Sequence, residues 1–172
     1  WLNIKKSNSR VVIGYDCRFG GPMFAETVAK VLSHFDIKVF LSKSFVSTPM
    51  VSLGVVNKNA DLGIVITASH NPPEYNGYKL KGSFGGPLSP EDVQEIEDMI
   101  PEINSIKYDK INLSKLFDKS QLIYVDLEEE YCFHTRNNFD ISLINDSKII
   151  WQSLGGTKTI LDDEKPVIDF AY

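Results

Sequence analysis

Residues 62–72 read LGIVITASHNP: five apolar residues that break abruptly into small polar ones and a proline. LGIVI is too short for a membrane span, which needs ~20 apolar residues. It shows no in–out alternation, so it is expected to be a strand covered on both faces. Upstream, residues 10–16 (RVVIGYD) and 37–41 (IKVFL) read as two more short strands. Between them, Gly20, Gly21 and Pro22 mark a helix start. Phe24, Val28, Leu32 and Phe35 then follow at helical spacing on one face. Thr48-Pro49 opens a second, short helix over 49–57. The order is β-α-β-α-β, the pattern of an α/β layer fold with a largely parallel sheet.

Downstream of LGIVI lies a long loop, TASHNPPEYNGYKLKGSFGGP, with four glycines and three prolines. Ser89-Pro90-Glu91-Asp92 is a helix start: a capping Ser, Pro at the first helical position, carboxylates in the first turn. Val93, Ile96 and Ile100 supply its apolar stripe. Residues 101–120 carry little pattern and are expected to be irregular. Asp126 followed by three glutamates predicts another helix, running to about Ile144. Residues 148–151 read as a strand, before a Gly155-Gly156 turn.

The 172 residues are 42% apolar, 24% charged and 11% aromatic, close to the globular average. No secretion signal opens the chain. Cys17 and Cys132 stand in no metal-ligand or CxxC spacing, which points to a cytoplasmic protein without disulfides or zinc. A net charge of −5 with scattered cations argues against a nucleic-acid partner, and no segment calls for a membrane. An anionic small molecule stays possible, because local cations and backbone amides set the potential in a cleft.

Ligands on open α/β sheets bind beyond the carboxyl ends of the strands. Two such ends carry unusual residues: Asp16-Cys17-Arg18 after the first strand, and Thr67-Ala68-Ser69-His70-Asn71-Pro72 after the third. As parallel neighbours they place Arg18 and Ser69 in one crevice, a place for an anion. Pro72 and Pro73 keep the loop extended and stiff. Asn76-Gly77 favours a tight turn that folds Lys79 back beside Ser69. Serine needs an activating partner, and His70 and Lys79 are the candidates by spacing. The plainer readings are a loop salt bridge between Asp16 and Arg18 and a solvated Lys79. GxGxxG and GxxxxGK[ST] are both absent, so nucleotide sites of those kinds lack support.

Residues 66–79, ITASHNPPEYNGYK, closely resemble the phosphoserine loop of the α-D-phosphohexomutases, the phosphoglucomutase/phosphomannomutase superfamily. VVIGYDCR resembles the family's G-x-D-x-R strand end, STPMVSL its Thr-Pro helix start, and KGSFGGPLSPEDVQEIE its Gly-Gly segment and following helix. The resemblance covers residues 11–100 well and 127–144 faintly. It implies a three-layer α/β/α domain with a mixed, mostly parallel sheet. It further implies that Ser69 carries a phosphoryl group exchanged with a hexose phosphate through a bisphosphate. One oxygen of that phosphoryl would ligate Mg²⁺. Lys79 would serve in acid–base work or charge stabilisation, and His70 would stand at the phosphoryl site. Arg18, Thr67 and Asn71 would bind phosphate.

The family's Asp-x-Asp-x-Asp metal loop, its sugar-reading loop and its closing phosphate-binding domain have no counterpart here. The chain is therefore expected to be the first domain (1–146), with 147–172 a tail or the start of a second. It lacks an initial Met and stops in the strand-like VIDFAY, as a trimmed piece would. Hexose 1,6-bisphosphate is the expected activator, and the remaining domains of the longer enzyme the expected partners. Alone, the chain is expected to be inactive as a mutase. The alternatives are a non-enzymatic sugar-phosphate module and, more remotely, a single-domain sugar phosphatase.

Overall fold

The computed structural model describes residues 1–102 and 107–140, and the backbone of 161–162 and 165–166. The elements in chain order are α1 (Leu2–Lys5), β1 (Arg10–Tyr15), α2 (Gly21–His34), β2 (Lys38–Ser42), α3 (Thr48–Asn57), β3 (Leu62–Ile66), β4 (Tyr78–Gly82) and α4 (Pro90–Asp98). A 3-10 turn at Tyr108–Lys110 leads to α5 (Leu113–Asp118), β5 (Leu122–Val125) and α6 (Leu127–Asn138). A two-residue pair, β6 (Leu161–Asp162) and β7 (Lys165–Pro166), runs antiparallel.

β1 to β5 form one sheet in the order β4-β3-β1-β2-β5. All pairings are parallel except β3–β4, so the sheet is mixed and mostly parallel. Alternation along β1 divides the core. Val11, Ile13 and Tyr15 face one side with Ala25 and Ala29 of α2 and with Leu62, Ile64 and Ile66. Val12 and Val65 face the other, with Met50, Val51 and Val55 of α3 and Leu127 of α6. This is the three-layer α/β/α arrangement, with β1 and β3 at its centre. Every residue of β3 is buried, as an apolar run without alternation requires.

Several expectations need correction. The buried line of α2 is Gly21, Ala25, Ala29 and Ser33, whereas Phe24 and Phe35 are 41% and 47% exposed. Small residues at i, i+4 and i+8 let the helix axis approach the sheet, and the large ones splay to its flanks. In α4, Ser89 caps through its hydroxyl, which accepts from Asp92 N–H, but Ile100 is 67% exposed. Residues 101–120 are not irregular throughout, since they include the 3-10 turn and α5. β4 and β5 were not foreseen. Both lie at sheet edges, where apolar patterning is weakest. Asp126 caps α6 as expected. The helix does not run to Ile144, since α6 ends at Asn138 and Phe139 is extended. The strand at 148–151, the Gly155-Gly156 turn and the VIDFAY run lie outside the described residues.

Candidate functional site

From β1 the chain crosses through α2 on one face to β2. From β2 it returns through α3 on the other face to β3, beyond β1. The strand order reverses between β1 and β3, the switch point beyond whose carboxyl ends open α/β sheets bind ligands. Two loops meet there. Residues 16–20 leave β1 and residues 67–77 join β3 to β4. Arg18 and Ser69 are thereby brought into contact.

The contact between the loops is extensive. Asp16 N–H donates to Ile66 O at 3.1 Å, and the Asp16 carboxylate accepts from Arg18 N–H at 3.0 Å and Arg18 Nε at 3.2 Å. Arg18 Nη1 donates to the carbonyls of Pro72 (2.7 Å) and Tyr75 (3.2 Å). Its Nη2 donates to those of Ser69 (2.9 Å) and Asn71 (2.8 Å). Arginine has five side-chain N–H donors, and all are taken within the protein. Arg18 was expected to bind phosphate; the structure instead employs its guanidinium inside the loop, 5% exposed against an Asp16 that is 2% exposed. Burying a charged pair is tolerated only when its remaining donors are satisfied, and here they are.

Ser69 is half-buried and sits at φ +54°, in the left-handed region. A non-glycine residue there costs about 1–3 kcal/mol unless its surroundings hold it. Asn71 N–H closes a turn on Ala68 O at 3.0 Å, and Ser69 N–H donates to the buried Thr67 hydroxyl at 3.2 Å. Thr67 therefore acts on Ser69 from behind. The Ser69 hydroxyl makes no hydrogen bond with any described residue, while its N–H and carbonyl are both engaged. His70 and Asn71 are exposed at the loop tip.

The expected tight turn at Asn76-Gly77 is instead the neck of an eleven-residue loop. Thr67 N–H donates to Gly77 O at 3.1 Å. The Asn76 side chain accepts from Gly77 N–H at 2.9 Å and donates to Phe19 O at 3.3 Å. Asn76 and Gly77 are the positioning residues that sequence reasoning misassigned, because an Asn-Gly pair signals a turn equally well at a tip or a neck. Glycine is required by proximity, since a Cβ there would lie 2.7 Å from Thr67 O. Gly77→Ala is expected to cost about 1–3 kcal/mol in denaturant unfolding. It should also speed hydrogen exchange at the Thr67 amide.

Lys79 pairs with Val65 across β3–β4, on the strand that returns from the loop, and is exposed. No hydrogen bond or ion pair joins it to Ser69 among the described residues. Lys81 follows two residues on, with the same facing. Burial first, and then the Lys79 ammonium, push the Lys81 ammonium below its ordinary value. This edge of the sheet is therefore positive. Among the described residues no three His, Cys, Asp or Glu side chains gather as a metal site, and no helix is long and apolar enough to cross a membrane.

Residues 1–107 match the sequence model of the family described as phosphoglucomutase/phosphomannomutase, alpha/beta/alpha domain I. The phosphoglucomutase of Staphylococcus epidermidis is 36% identical over 151 residues, covering 86% of this chain and 27% of that protein. The phosphoglucomutase of a bovine strain of Staphylococcus aureus is 33% identical over 162 residues, covering 91% and 29%. The chain spans less than a third of the length of these curated relatives. A crystal structure of a protein assigned as a phosphomannomutase from Thermus thermophilus superposes with a TM-score of 0.68 at 31% identity, over 82% of this chain and 30% of that one.

Proposed function

The chain belongs to the phosphoglucomutase/phosphomannomutase family, as its α/β/α domain I, and on that footing we propose that it is the phosphoserine-bearing domain of an enzyme interconverting hexose 1- and 6-phosphates. Residues 1–146 would be that domain and a hexose 1,6-bisphosphate its phosphoryl source, in the cytoplasm. The remaining domains of a longer protein would read the sugar. One observation carries the reading: a serine hydroxyl without an internal partner, presented at the strand-order switch by a loop anchored on every side.

In the transfer, Ser69 Oγ forms a bond to phosphorus as the bond from phosphorus to the sugar oxygen breaks. The serine proton passes to the departing oxygen, which leaves a hexose monophosphate. In the other half-reaction the Ser69 phosphoryl passes to the free hydroxyl of a hexose monophosphate, the bond from phosphorus to Oγ breaking and the hydroxyl proton going to Oγ. The bisphosphate so formed recharges Ser69 from its other end. Such transfer depends chiefly on positioning and on offsetting charge at the phosphoryl oxygens. Lys79, with Lys81 beside it, supplies positive potential along the returning strand, and Lys79 is the candidate for proton work. His70 and Asn71 follow the serine at the exposed loop tip and would stand at the phosphoryl group. Mg²⁺ would offset charge on the phosphoryl oxygens, but it takes near-octahedral oxygen ligation. The Ser69 phosphoryl would offer one such ligand, and among the described residues no three His, Cys, Asp or Glu side chains gather to supply others.

Intact-mass measurement after incubation with α-D-glucose 1,6-bisphosphate tests the proposal. One added phosphoryl is expected on the chain and none on Ser69→Ala. An unmodified wild-type chain overturns the reading in favour of a binding module, and an adduct persisting in Ser69→Ala overturns the assignment of the serine. Turnover of hexose 1-phosphate by the chain alone would contradict its expected dependence on further domains.

A further inference from the structure

We propose that Arg18 never contacts the phosphoryl group, and that it sets the polarity of the loop so that the backbone N–H of His70 does. This rests on Ser69 being the phosphorylated residue. In a trans peptide the C=O of one residue and the N–H of the next point in opposite directions. No cis peptide occurs among the described residues. The Ser69 carbonyl points to Arg18 Nη2 at 2.9 Å, so the His70 N–H points away from the guanidinium. That N–H donates to no described residue, whereas the neighbouring N–H groups are committed, Ser69 to the Thr67 hydroxyl and Asn71 to Ala68 O.

Arg18 also draws the carbonyls of Asn71, Pro72 and Tyr75 to the same side. Four negative dipole ends are thereby turned inward, where they would otherwise be free to face the phosphoryl oxygens. Asp16 holds the guanidinium at this task by accepting from Nε and from the Arg18 N–H. The pair thus acts through the loop, as positioning residues, and the anion meets a backbone donor. A lysine at 18 keeps the charge but has three N–H donors on one nitrogen, which cannot span four carbonyls and a carboxylate.

The test is ¹H–¹⁵N NMR of the full 172-residue chain, before and after charging Ser69 with α-D-glucose 1,6-bisphosphate. The His70 amide proton is expected to move strongly downfield, as for a charge-assisted hydrogen bond. The Arg18 Nε–H signal is expected to stay in place. Movement of the Arg18 guanidinium signals, or a stationary His70 amide, overturns the proposal. Arg18→Lys provides a second readout that needs no phosphoryl. Exchange of the Ser69, Asn71 and Tyr75 amides should rise about tenfold or more, while the Leu62–Ile66 amides keep their protection. Unchanged exchange in the loop overturns the clamp. Should Ser69 take up no phosphoryl, the phosphoserine reading falls together with the anion role of His70, and the clamp is decided by exchange alone.

Discussion

Arg18→Met is expected to lower the free energy of unfolding by about 3–5 kcal/mol, the range measured when one partner of a buried ion pair is removed. Two losses combine. Asp16, 2% exposed, keeps a carboxylate whose guanidinium partner has gone. The carbonyls of Ser69, Asn71, Pro72 and Tyr75 lose their donor together. Only those carbonyls that can turn to water escape the penalty of about 1–3 kcal/mol for an unsatisfied polar group. Against a total stability of roughly 5–15 kcal/mol for a domain, such a loss is large. Adding Asp16→Asn to Arg18→Met removes the orphaned charge, so the double variant should be less destabilised than the sum of the singles. Urea unfolding of the four proteins checks this. A loss below about 1 kcal/mol for Arg18→Met, or additivity within about 0.5 kcal/mol, would sink the claim that the pair is one unit.

Leu127→Ala is expected to cost about 2–5 kcal/mol, although it lies outside the stretch matched by the family model. Leu127 is 1% exposed at the start of α6 and fills the space left by Gly54 of α3, where a Cβ would lie 2.6 Å from Leu127 Cδ2. The hollow and the side chain that fills it are therefore coupled. In the wild type, Gly54→Ala crowds Leu127, and the cost of about 1–3 kcal/mol exceeds the ~1 kcal/mol that alanine gains over glycine in a helix. In Leu127→Ala the crowding is gone and Gly54→Ala should become neutral or stabilising. Thermal or urea unfolding of the wild type, the two single variants and the double variant gives the coupling directly. Equal effects of Gly54→Ala in both backgrounds would mean that α6 does not seat on α3 as described.

What could be read in advance followed from local physics. LGIVI had to be covered on both faces, because five successive apolar residues leave no polar face. Ser89 and Asp126 announced helix starts, because an unsatisfied first-turn N–H seeks a side-chain acceptor close by in the chain. The ends of β1 and β3 stood out because polar residues follow directly on buried strands. Where pattern is weak, the reading failed. β4 (YKLKG) carries two lysines and a single aliphatic residue at a sheet edge, and β5 (LIYV) is short. In α2 the fully buried line falls on the smallest residues, selected by closeness to the sheet, while of the expected stripe Val28 and Leu32 pack against the core and Phe24 and Phe35 do not.

By itself, then, the sequence determined the β-α-β-α-β order, an α/β layer fold with a largely parallel sheet, and the loop holding the candidate serine. Each of these follows from residues that are neighbours in the chain. The roles inside the site were decided only by the tertiary structure. Arg18 lies 51 residues from Ser69 along the chain and meets its carbonyl at 2.9 Å. No spacing rule shows whether such a guanidinium faces a ligand or the backbone. Five donors have to be satisfied once the group is buried, and in this fold the carbonyls of the serine loop are the acceptors within reach. The same holds for Gly77, whose need for a missing Cβ is created by Thr67, a residue brought beside it only when β4 pairs with β3.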